Sequence, residues 1–247
     1  MAALSKTRFA RLDNKGMHPT PFGRGWIPLL WPFSLRGIMK FKAIETTEEL
    51  RELYGSPMDL VLKKQKSELD EYSIKFLNLS AFSVLSTSSL NGNMDCSPRG
   101  DHQGFIQVLD NKTIAIPDRP GNNRLDSLSN IIENPNVGIL SLVSGFSECL
   151  RINGTAKIVT DADLLERFKF QEKLPKSVVV VSINEIYFHC AKAITRSKLW
   201  KEEFQVNRDV MPSLGKILMA QIDPSKPEKE VKKVEELIEN RVKTTLY

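Results

Sequence analysis

From about Leu79 the apolar residues stop recurring every three or four positions and begin to alternate. That change of period limits the fold more than any other feature. LSAFSVLST alternates like a half-buried strand, and Asn91-Gly92 behind it is the strongest hairpin signal in the sequence. GFIQVLD, TIAIP, VGILSLV, ECLRINGTAKIV and SVVVVSINEIYFHCA follow as further strands, separated mostly by Gly, Asn, Asp or Pro. Asp110-Asn111 makes a second tight turn. Two helices interrupt the series: RLDSLSNIIEN, stopped by Pro135, and DADLLERFKFQEKL, with Asp161 as N-cap. About six strands at hairpin spacing, with few crossovers, predict a mainly β fold with flanking helices. The architecture expected is an antiparallel barrel, not a doubly wound parallel sheet.

Ahead of the strands, Thr46-Thr47-Glu48-Glu49 reads as a capping box for a helix ending at Gly55. A second helix is predicted from Pro57 through MDLVLKKQKSELDEYSIKFL. Beyond the strands, Val231, Val234, Ile238 and Val242 recur at helical spacing among alternating charges, as in a surface or interface helix with no evident chemistry. Residues 39–247 are expected to form a single domain. Residues 1–38 are basic with one acid, Asp13, and read as a disordered extension or an early start ahead of Met39, with a transit segment as the other reading. A net charge of +5 admits nucleic acid, anionic lipid or a phosphorylated small molecule and selects none. Three scattered cysteines point to a reducing, cytoplasmic setting, and no apolar run is long enough to cross a bilayer.

Several chemistries are excluded by missing motifs. There is no Walker loop, no glycine-rich dinucleotide fingerprint and no nucleophile elbow. His189 and Cys190 are adjacent on a strand, so their side chains face opposite ways and cannot share a metal ion.

Three polar clusters remain. In 95-DCSPRGD-101, Arg99 offers a planar five-donor fork to an oxyanion and Gly100 allows close backbone approach; the plainer reading is an ordinary loop. In 116-IPDRPGNNRLDSL-128, Asn122 or Asn123 would cap a helix beginning near Arg124. That would leave an anion site at its N-terminus, strengthened by Arg124 and Ser127. The rival is a capped helix whose arginines pair with Asp118 and Asp126. In 187-YFHCAKAITRSKLW-200, Lys192, Arg196, Lys198 and Trp200 form either a solvated basic edge or a cationic rim with an aromatic lid.

In this order, SPRGD, IPDRPGNNRLDSL, ENPNVGILSLV and YFHCAKA resemble the flavin-binding proteins related to pyridoxamine 5'-phosphate oxidase, over roughly Ala43 to the C-terminus. The resemblance implies an FMN-binding split β-barrel and a homodimer with FMN at two sites built from both subunits. It carries phosphate and ribityl contacts onto Ser97, Arg99, Asn122, Asn123, Arg124 and Ser127. Backbone from Pro98 through Gly100 to Asp101 would face the ring, and Lys192, Arg196 and Trp200 would close the site, from the same or the neighbouring subunit. True oxidases of the family usually carry a lysine near the position of Ser127 and end in an Arg- and Trp-containing segment, neither of which is present, so vitamin B6 oxidation is not expected. Cousins of the fold hold a deazaflavin or haem instead. The function expected is an FMN-dependent oxidoreductase acting on an unassigned small molecule, with no nucleic acid or membrane partner and no catalytic residue identified. A non-catalytic flavin-binding or sensing protein is the alternative, and a nucleic-acid-binding barrel a remote one.

Overall fold

The computed structural model describes residues 41–247. The basic extension expected over 1–38, and any import role for it, lies outside the described residues. Among the described residues, 41–55 and Ser56–Tyr247 fall in separate compact units. The first holds helix α1, Thr47–Tyr54, with Thr46 accepting from the Glu49 amide and Gly55 closing the helix at a φ of 70°. The returning Glu49 carboxylate reaches the Glu45 amide, so the capping box is displaced by one residue.

The second unit is built on one antiparallel sheet of seven strands in the order β2-β1-β5-β6-β7-β4-β3. The strands are β1 (Phe82–Ser88), β2 (Met94–Gly100), β3 (Gln107–Asp110), β4 (Thr113–Pro117), β5 (Asn136–Leu142), β6 (Cys149–Val159) and β7 (Val178–His189). The strand that periodicity does not mark is β2, because MDCSPRG carries almost no apolar residue; only the Asn91-Gly92 hairpin signal and the family resemblance pointed to it. The ladder stays open, with β2 and β3 as its two edges, which makes the barrel a split one.

The helix predicted from Pro57 to Leu77 is two helices, α2 (Asp59–Lys63) and α3 (Glu71–Leu79). β4 pairs with β7 only as far as Ser182, which leaves the backbone of Ile186 unmatched on that side. Lys66 supplies both missing bonds, donating to the Ile186 carbonyl at 3.0 Å and accepting from its amide at 2.8 Å. Asp70 then starts α3 through reciprocal bonds with Ser73. Burial of Phe76 and Leu77 on α3 plugs the main core beside Leu85, Ile114, Ile139, Leu150, Ile152 and Val181. A smaller core covers the other face of β4, where Ala115, Val178 and Val180 meet Phe168 and the helix α5 (Ala162–Arg167).

Two glycines are dictated by close approach. A bulge in β6 against β7 brings Gly154 so near the Ser182 carbonyl that a Cβ would stand 2.1 Å from its oxygen. Gly215, on α7 (Leu214–Ile222), would place a Cβ 2.8 Å from Cα of Glu235 on α8 (Glu228–Thr244). Among the described residues no helix is long and apolar enough to cross a membrane.

Candidate functional site

Register turns β2 into a wall of the site. Ser83, Leu85 and Thr87 of β1 point into the core, and their partners on β2 are Arg99, Ser97 and Asp95. Directly paired residues share a face, so three polar side chains stand at inward positions on an edge strand. Beside them the inner face of the sheet runs out into a cleft of about 740 Å³. Its other walls are the segment after β4 (Pro117 to Asn123), the start of helix α4 (Asp126–Glu133), Lys176 ahead of β7, and Arg241 and Thr245 at the end of α8.

Helix α4 is stitched to the sheet by three side-chain bonds. Ser127 Oγ donates to Asp95 at 2.5 Å, Asn130 to Thr87 at 3.0 Å and Asn134 to Ser88 at 2.8 Å, while Ile131 is buried. The expected asparagine cap is not formed. Asn122 Oδ1 instead accepts from the Arg124 amide at 3.0 Å, closing a turn. Asn123 and Leu125 both take positive φ, and Leu125 occupies the N-cap position without a side-chain bond. The first amides of α4 are therefore uncapped where Leu125, Asp126 and Ser127 line the cleft.

Arg99 is the central cation. Its guanidinium folds back on its own strand, donating to Ser97 Oγ at 2.6 Å and to the Pro98 carbonyl at 2.9 Å. Among the described residues it has no carboxylate within ion-pair distance, and burial draws its pKa below the usual range against the opposing pull of Asp118 and Asp95. Burial pushes the Asp118 carboxyl up, and Arg99 and Lys176 oppose that rise. The cleft is a partly desolvated patch with donors still to spend, a chemistry suited to a phosphate or carboxylate.

Of the expected site residues, Ser97, Pro98, Arg99, Gly100, Asn122, Asn123 and Ser127 are brought together in this cleft. Arg124 is not: it is 73% exposed and pairs with Asp126 at 2.8 Å. The Asp101 side chain is fully buried outside the lining, held by Arg119 and Tyr247. Lys192, Arg196 and Trp200 also lie away from it. Lys192 and Arg196 belong to the short helix α6 (Lys192–Ser197), which follows β7, four strands from β2 in the sheet order. The Trp200 indole donates to the Phe146 carbonyl at 2.6 Å, so none of the three closes the cleft within one chain.

Sequence reasoning missed Asp95, Arg119, Lys176, Arg241 and Thr245. Only Arg241 and Thr245 carried a readable signal. They continue the series Val231, Val234, Ile238 at spacings of three and four, the face that is buried at Val231.

A split β-barrel with an arginine-lined cleft at its open edge is the class of protein these features define. Residues 69–190 match the family described as Pyridoxamine 5'-phosphate oxidase, which bears out the resemblance read from the sequence. Among solved structures it is similar to HupZ of Group A Streptococcus, at 18% identity over 49% of this chain and 93% of that one, TM-score 0.41. It is also similar to the FAD binding protein from Mycobacterium smegmatis, at 20% identity over 50% of this chain and 97% of that one, TM-score 0.36. No curated protein matches the sequence.

Proposed function

We infer that the chain is an FMN-binding flavoprotein and an FMN-dependent oxidoreductase whose small-molecule substrate is not vitamin B6. It would act in the cytoplasm as a homodimer with FMN at the subunit interface. One observation carries the cofactor assignment: Arg99 stands at an inward edge position, partly buried and without a carboxylate partner, over a cleft of about 740 Å³. That volume lies within the roughly 300–1,000 Å³ of small-molecule sites.

The residues present fit the group. Arg99, Lys176, Asn122, Asn123 and the uncapped start of α4 would hold the phosphate. Pro98, Gly100 and Phe105 supply apolar wall and backbone. Ser127 and Arg124 are committed to Asp95 and Asp126, so they shape the site more than they bind. Lys192, Arg196 and Trp200 would close it only from the neighbouring subunit. Bound FMN supplies hydride and single-electron transfer; the chain's own residues bind, orient and exclude water. The second reading is a non-catalytic flavin binder, favoured by a lining that has no His, Cys or Glu among the described residues.

Flavin absorbance of the purified protein, or uptake of added FMN, tests the cofactor assignment, and a colourless protein that takes up none would overturn it. Reduction of the FMN-loaded protein by NADH or NADPH, followed by reoxidation with small acceptors, separates enzyme from binder.

A further inference from the structure

The last turn of helix α8 stands at the cleft. Val231, Val234, Ile238, Arg241 and Thr245 follow one another at spacings of three and four, so they share one helical face. The early part of that face is buried at Val231, and α8 packs on α7 at the close contact of Gly215 with Glu235. Its last turn reaches the cleft, which Arg241 and Thr245 line.

The end of a helix normally presents unsatisfied carbonyls, which repel anions. Here Thr244 Oγ1 donates to the Asn240 carbonyl at 2.8 Å and Thr245 Oγ1 to the Arg241 carbonyl at 2.7 Å. The Thr245 amide bonds the same Arg241 carbonyl at 2.9 Å. The positive charge offered here is Arg241, which has no ion pair within 4 Å among the described residues.

The tail beyond the helix is fastened to Asp101 after β2 and to Lys173 ahead of β7. The Tyr247 hydroxyl donates to Asp101 Oδ1 at 2.7 Å, and Lys173 Nζ donates to the Tyr247 main-chain oxygen at 2.6 Å. The tyrosine ring lies 4.7 Å from that of Phe170, itself stacked on His102 at 4.9 Å, and the Arg119 guanidinium lies 5.4 Å from the tyrosine ring centroid.

We propose that Arg241 is an anion-binding residue of the cleft, delivered by α8 and positioned by the Tyr247 latch, and that it meets a phosphate group there. The phosphate is that of FMN or that of a second, phosphorylated ligand. The proposal rests on the flavin reading for the cofactor and on the cleft alone for the anion.

The test compares wild type with Arg241→Ala, Arg241→Lys, Tyr247→Phe and Arg99→Ala. FMN and riboflavin are titrated by flavin fluorescence, and inorganic phosphate by thermal shift on apo and FMN-loaded protein. Loss of about tenfold in FMN affinity in Arg241→Ala, with riboflavin affinity unchanged, assigns the contact to the cofactor phosphate. Unchanged FMN affinity with loss of the phosphate shift in the loaded protein assigns it to a second ligand. Arg241→Lys should recover part of either signal, and Tyr247→Phe should weaken it less than Arg241→Ala. Wild-type behaviour of Arg241→Ala in both titrations, while Arg99→Ala loses FMN affinity, overturns the proposal. If wild type binds no FMN, the flavin reading fails, and the apo-protein phosphate shift still decides whether Arg241 binds an anion.

Discussion

Arg119 Nε stands 2.6 Å from Asp101 Oδ2, and the two side chains are 12% and 0% exposed, so a sealed ion pair ties the segment after β4 to the end of β2. Removing Arg119 leaves the buried Asp101 carboxylate without a countercharge, held only by the Tyr247 hydroxyl and the His102 amide. Arg119→Ala should therefore cost about 3 to 5 kcal/mol. Urea unfolding of the two proteins, compared at equal slope, checks this; a loss below 1 kcal/mol would mean that water reaches Asp101.

Arg99 and Arg124 separate two accounts of the anion site. Arg99 is turned inward over the cleft, while Arg124 is exposed and paired with Asp126. Arg99→Ala should weaken FMN binding roughly 10- to 100-fold, and Arg124→Ala less than about threefold, measured by fluorescence quenching. The reverse order would place the phosphate on the outer side of the turn.

Gly154 admits no side chain. With the Ser182 oxygen 2.1 Å from the position of a Cβ, Gly154→Ala must open the β6–β7 pairing and should cost about 3 kcal/mol. A thermal unfolding midpoint within a degree of wild type would show that the bulge relaxes freely.

Acid should unfasten α3 at its cap. Hydrogen bonding from the Ser73 amide, helped by Lys66, holds Asp70 at about 2 against a usual 3.8. A depressed carboxylate stabilises the fold fully above its unfolded pKa and loses that contribution as pH falls through the folded one. Asp70→Ala should be about 1 kcal/mol less stable than wild type at pH 6, with the gap closing between about pH 4 and about pH 2. A gap that is constant with pH would assign the effect to helix propensity.

The strands were legible because a half-buried sheet imposes its period on the sequence: SVVVVSINEIYF and VGILSLV became β7 and β5 within a few residues. Where structure depends on pairing between distant segments, the sequence carried no local sign. Lys66 breaks a well-formed helical pattern only because Ile186 needs partners, and Arg119 finds Asp101 only because two loops meet. The cleft was half legible. Ser97, Arg99, Asn122 and Asn123 stand out as polar residues beside strands and turns, whereas Lys176 looks like any surface lysine until β4–β7 pairing sets it near Asp118.

An uncovered sheet edge invites a neighbouring chain to add a strand. β2 refuses that invitation, because Pro98 has no amide to donate and an added strand would bring its own side chains against the partly buried Arg99 on the inner face. The same two residues that make this edge a poor template for another strand leave it unfilled, so protection against aggregation and room for a small anionic guest arise from one choice of residues.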